Sequence, residues 1–228
     1  IAKKRGLLSV LSLTINIILF SIAIKLYNTG INLFELCSIL AVVFTIITLL
    51  ILNGINKRTF AAICSTLLTL LFTILIFLGA SKVGEPLDYS VLDYIYATDD
   101  LEYIFFSGVL LAGLGAVMDV SVSITSAMNE LVVKNPSISL VDMFKSSREI
   151  SHDIMGAMIN VLLFTYICGL LPMFIIKLKN DVRFITLITL QIPFEISRFL
   201  TGSIAILLAV PISIIFSILF LKVRKEHQ

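Results

Sequence analysis

Four side chains able to take up or hand on a proton fall on one line of a helix: Asp119, Ser123, Ser126 and Glu130, spaced i, i+4, i+7 and i+11. They lie in residues 113–131, GLGAVMDVSVSITSAMNEL, a stretch apolar enough to enter a membrane. A carboxylate at mid-bilayer costs about 2.5–3.5 kcal/mol on insertion scales, so something must offset Asp119. The stripe is expected to turn away from lipid. Ser123, Ser126 and Asn129 supply hydroxyl and amide neighbours for the carboxyl, and Asn160, in a later apolar stretch, is expected at a depth where it can bond Asp119 across a helix pair.

Small residues Gly108, Ala112, Gly115 and Ala116 precede the carboxylate and let another helix approach closely. Two chemistries fit. In one, Asp119 is the buried titrating group of a proton- or cation-coupled permease, with Glu130 at the end of its relay. In the other, the polar groups only lock helices together and the chain is a structural or accessory subunit of a transport complex. An intramembrane hydrolase is disfavoured, because no Ser-Lys or Ser-His pair and no second intramembrane aspartate is placed to work with Asp119. We therefore expect no enzyme.

The elements that position these groups follow from composition. Of 228 residues, 58% are hydrophobic and 14% charged, with a mean hydropathy of +1.07, so the chain is an integral membrane protein. A net charge of +2 gives no case for nucleic acid. Cys37, Cys64 and Cys168 sit in apolar runs without CxxC spacing and read as small core residues. With only His152 and His227 present, neither a metal site nor a cofactor is expected.

Apolar runs predict six transmembrane helices in one domain covering residues 1–228, at about 7–27, 31–52, 59–78, 104–126, 154–176 and 202–221. The first is too long for a signal-peptide core. Residues 81–103 form an acidic connection expected outside, with Lys82 against six carboxylates. Residues 132–151 read as an amphipathic helix on the cytoplasmic surface. Residues 183–201, broken by Pro193 and carrying Glu195 and Arg198 at i, i+3, where they can pair, read as an outer-face or re-entrant segment. On that count eleven of the seventeen Lys and Arg residues are cytoplasmic, among them Lys57, Arg58, Lys134 and Lys145. Both termini are then inside. Asp153, Gly156 and Asn160 share a face of the fifth span, which also holds Tyr166 and Gly169.

Three blocks carry a resemblance: residues 113–131, residues 152–172 (HDIMGAMINVLLFTYICGLLP) and residues 195–213 (EISRFLTGSIAILLAVPIS). Together they resemble the YibE/YibF family of multi-span bacterial membrane proteins. That resemblance implies a presumed permease in the bacterial cytoplasmic membrane, with no substrate attached to the name. The G-x-G-x-x-x-D of Gly113, Gly115 and Asp119 is also similar to one six-span half of resistance-nodulation-division and SecDF-type exporters, where the matching acidic position relays protons. Only Asn28-Thr29-Gly30 stands between the first two spans, where those exporters insert a large domain. With no internal repeat, a two-repeat layout would need a second chain, so the expected partners are the bilayer and a copy or a related six-span chain.

Overall fold

The computed structural model describes residues 2–83 and 101–221, all of whose regular elements are helices. Asn32 starts the second of them by accepting a hydrogen bond on its side chain from the Phe34 N–H at 3.0 Å. Gly54, at φ +72°, ends it in a conformation that costs glycine little. Ser139 starts the fifth by accepting from the Asp142 N–H at 3.0 Å while its hydroxyl donates to the Asp142 carboxylate at 2.6 Å. The six helices are α1 (Ala2–Tyr27), α2 (Leu33–Asn53), α3 (Lys57–Val83), α4 (Leu101–Lys134), α5 (Leu140–Lys179) and α6 (Phe184–Leu221). Each is long and apolar enough to cross a membrane.

Two expected segments do not exist as separate elements. Residues 132–134 finish α4 and residues 140–151 are the first turns of α5, so no amphipathic helix stands alone. A polar face does not end a helix, and between Leu140 and Gly156 no glycine or proline interrupts it. Residues 184–201 are likewise the first half of α6, with Pro193 inside the helix and no re-entrant break. Proline removes one backbone bond, but Phe194 packs against Phe105 at 5.4 Å between ring centroids and holds the chain on course. The acidic connection at 84–100 and the basic stretch at 222–228 lie outside the described residues.

Helices α3, α4 and α6 each pack on the other two and form the centre. Helix α2 packs on α3 and α4, α5 on α4 and α6, and α1 leans on α2, where the Asn16 amide donates to the Thr48 hydroxyl at 2.9 Å. The core runs along α4 through Val117, Val120, Ile124 and Met128, all buried, against Ile206, Ala209 and Ile214 of α6. Of the cysteines, Cys37 is buried, Cys64 is half-buried and Cys168 is exposed on α5, so only the first is the core residue expected.

Helices α5 and α6 meet at Gly202, where a Cβ would stand 2.6 Å from Leu162 Cδ2. Gly202→Leu is therefore expected to lower stability by about 1–3 kcal/mol through overpacking. Adding Leu162→Ala should recover part of it. Thermal unfolding of both variants in nanodiscs measures this, and a silent Gly202→Leu would show that the helices part without cost.

Candidate functional site

Helix α4 has two faces of opposite character. The inner one packs Leu114, Val117, Val120 and Ile124 with Ser121 and Thr125. The outer one carries Gly108, Ala112, Gly115 and Asp119, all exposed, followed by half-buried Ser123 and Ser126 and exposed Glu130. The stripe is thus one line, as its spacing requires. It points out of the chain's own bundle, because the larger apolar side chains have claimed the inner face.

Depth follows from length. Helix α4 has 34 residues, about 51 Å, and Asp119 lies about 27 Å from its start. A hydrocarbon layer about 30 Å thick contains Asp119 wherever along that length it is placed. Asp119 is an exposed carboxylate at membrane depth. It makes no hydrogen bond or ion pair with any described residue.

Helix α5 also turns polar and small groups outward: Asp153, Gly156, Asn160 and Gly169 are exposed. The expected bond between Asn160 and Asp119 is not made, and the packing register explains why. The Ser213 hydroxyl donates to Ser121 at 3.2 Å, which sets Asp119 level with Pro211 of α6. Leu162 meets Gly202, which sets Asn160 of the antiparallel α5 level with Ile204. From Ile204 to Pro211 is about 10 Å of helix, beyond the reach of an amide. The residue of α5 that this register sets level with Asp119 is Asp153.

The expected pairing of Glu195 and Arg198 is made, at i, i+3 on α6. The guanidinium also stands 5.0 Å above the Phe105 ring. Tyr166 of α5 lies within electrostatic reach of both charges, and its buried hydroxyl has no hydrogen-bond partner among the described residues. Helix α6 is uncharged from Phe199 to Leu221, about 34 Å, so the pair sits at one end of the layer.

Over residues 1–223 the sequence matches the family described as YibE/F-like protein. The chain belongs to that family. No curated protein and no solved structure matches it, and the expected likeness to resistance-nodulation-division and SecDF-type exporters is not shown. Within this YibE/F-like protein the three blocks occupy the outward line of α4, the outward face of α5, and the charged pair with the core of α6.

Sequence reasoning missed the hydroxyls of the inner face. Ser121 and Ser213 are fully buried, as are Thr59, Ser65, Thr66 and Thr69 of α3. Their signal was present as Ser121 and Thr125, spaced i, i+4 and offset two residues from the Asp119 line. The pocket among α3, α4 and α6, walled by Thr73, Phe106, Gly113 and Thr201, holds ≈ 20 Å³, room for about one water. Asn129 stands apart from Asp119, in a pocket at the end of the bundle that carries Lys57 and Arg58.

Removing one member of a partly buried ion pair strands the other. Arg198→Ala should therefore cost about 1–3 kcal/mol, the upper end of the buried-pair range being discounted for residual exposure. Glu195→Gln with Arg198→Gln should recover most of it. Denaturation of both variants in nanodiscs tests this, and equal stabilities would show that the pair contributes nothing.

Proposed function

We propose that this YibE/F-like protein is a component of a proton- or cation-coupled permease or exporter, with Asp119 as the group that binds and releases the coupling ion. The observation that carries the reading is a carboxylate at membrane depth with no partner among the described residues of its own chain. Charged and neutral carboxyl differ by several kcal/mol in how well they tolerate hydrocarbon, so a group left there without a structural bond is a functional one by default. Ser123, Ser126 and Glu130 continue its line toward the end of the bundle that carries Lys57 and Arg58. No chemistry on a substrate is part of this reading.

The same face is expected to be covered in the membrane by a second six-span chain, a copy or a relative. The pocket at the centre of the bundle, among α3, α4 and α6, holds only ≈ 20 Å³, which supports that arrangement, since it gives a solute no room there. It equally favours the second reading, an accessory subunit whose partner carries the flux. Mass measurement in nanodiscs should return an oligomer. A monomer with nothing co-purifying from native membrane would count against both.

Asp119→Asn separates the two readings. The amide keeps shape and hydrogen bonding but holds no exchangeable proton, so a coupled permease should lose pH-gradient-driven flux in proteoliposomes with its melting temperature unchanged. A stable and fully active Asn variant would reject the relay. Under the accessory reading Asp119→Asn is silent and Asp119→Leu loses about 0.6 kcal/mol, the average for an interhelical membrane hydrogen bond.

The proposed location is the bacterial cytoplasmic membrane, with both termini inside. A Glu226→Cys variant in a background lacking Cys37, Cys64 and Cys168 should then resist an impermeant thiol reagent in intact cells and react after lysis. Labelling in intact cells would overturn the orientation.

A further inference from the structure

Where α2 turns into α3, a pocket of ≈ 450 Å³ opens between the start of α3, the last turns of α4 and the end of α6. That is within the usual range for a small-ligand site, about 300–1,000 Å³. Lys57, Arg58 and Asn129 line one part of it, and Val132, Val133 and Leu221 line the other. Neither cation makes an ion pair with a described residue. Positive charge at a cytoplasmic turn would by itself be explained by orientation. Orientation does not explain a cavity that joins two cations without an ion pair among the described residues, an amide and an apolar wall.

We propose that this pocket binds the phosphate of an anionic ligand, with Lys57 and Arg58 as its counter-ions and Asn129 as a hydrogen-bond donor. The guanidinium of Arg58 offers several N–H groups in a fork and the ammonium of Lys57 a point charge, a combination suited to phosphate oxygens. The apolar wall formed by Val132, Val133 and Leu221 favours a ligand with a hydrocarbon part next to its phosphate, and the place is the edge of the membrane, where basic pockets between helices hold lipid headgroups. Phosphatidylglycerol and a free phosphate ester share this chemistry. The proposal is independent of the role given to Asp119, since its test reads binding and not transport.

The full chain is reconstituted with phosphatidylglycerol or with phosphatidylcholine alone, and lipid retained on the released protein is read by native mass spectrometry, with melting temperature as a second readout. Wild type should keep phosphatidylglycerol and melt higher in its presence. Lys57→Gln with Arg58→Gln should bind roughly thirtyfold more weakly, taking about 1 kcal/mol per cation at an anionic surface. Lys134→Gln with Lys145→Gln removes the same charge from exposed positions outside the pocket and should bind as wild type does. Asn129→Trp fills the cavity with both cations left in place and should also lose the lipid, which guards against misfolding of the charge variant. Retention in the wild type that matches in the double and Trp variants, or equal losses in both charge-pair variants, would overturn the site in favour of general surface attraction. Protection by 10 mM inorganic phosphate in phosphatidylcholine, with no retained phosphatidylglycerol, would assign a free phosphate ester as the ligand and support the phosphate site. No effect of either would reject it.

Discussion

Hydrocarbon offers no hydrogen bonds, and the structure is organised by that constraint. Six long helices satisfy their own backbone, which is the first requirement for crossing a membrane. Several buried hydroxyls follow the same rule by turning back onto the helix that carries them, while those of Thr59, Thr66 and Ser217 find no partner among the described residues. Thr45 donates to the Ala41 carbonyl at 2.8 Å, Thr69 to Ser65 at 2.7 Å and Thr125 to Ser121 at 2.8 Å. Because these bonds are local, α3, α4 and α6 can press together on Val, Ile, Ala and Ser side chains. Where a bond does cross between core helices, as from Ser213 to Ser121, it marks the register of α6 against α4.

Against that rule the ionisable groups stand out, and each meets the constraint differently. Glu195 and Arg198 meet it by pairing and by the aromatic face of Phe105. Lys57 and Arg58 meet it by position, at a turn where water and headgroups are available. Asp119 meets it by neither device among the described residues of its own chain. Core packing dictates this placement: Val117, Val120, Ile124 and Met128 need the inward arc of α4, so a residue two positions from Val117 and one from Val120 is turned outward.

Much of this was legible in the sequence, and what was not failed for identifiable reasons. Apolar runs located all six helices, since crossing length and hydropathy are properties of the chain alone. The i, i+4, i+7 spacing placed Asp119, Ser123, Ser126 and Glu130 on one line, and the i, i+3 spacing paired Glu195 with Arg198. The helix ends around residues 132–151 and 183–201 are not legible there, because a polar face and a single proline imitate breaks that packing does not make. The direction of the α4 line was hidden as well, because periodicity states which residues share a face and not which neighbours that face meets. Asn160 illustrates the limit: its depth on α5 depends on where Leu162 finds Gly202, a contact between residues 40 positions apart.

The register that separates Asn160 from Asp119 also bears on how polar groups could act together. Three levels follow along α4 and α6: the pair Glu195–Arg198 beside Phe105, then Asp119 level with Pro211, then Asn129 beside Lys57 and Arg58. From Phe105 to Asp119 is about 21 Å of helix and from Asp119 to Asn129 about 15 Å, so no direct hydrogen bond joins one level to the next. The pocket at Gly113 and Gly202 lies between the first two levels and has room for about one water. Between the second and third levels the outward face of α4 carries Ser123 and Ser126, at intervals of about one helical turn. That face becomes an enclosed path only when something other than lipid lies against it.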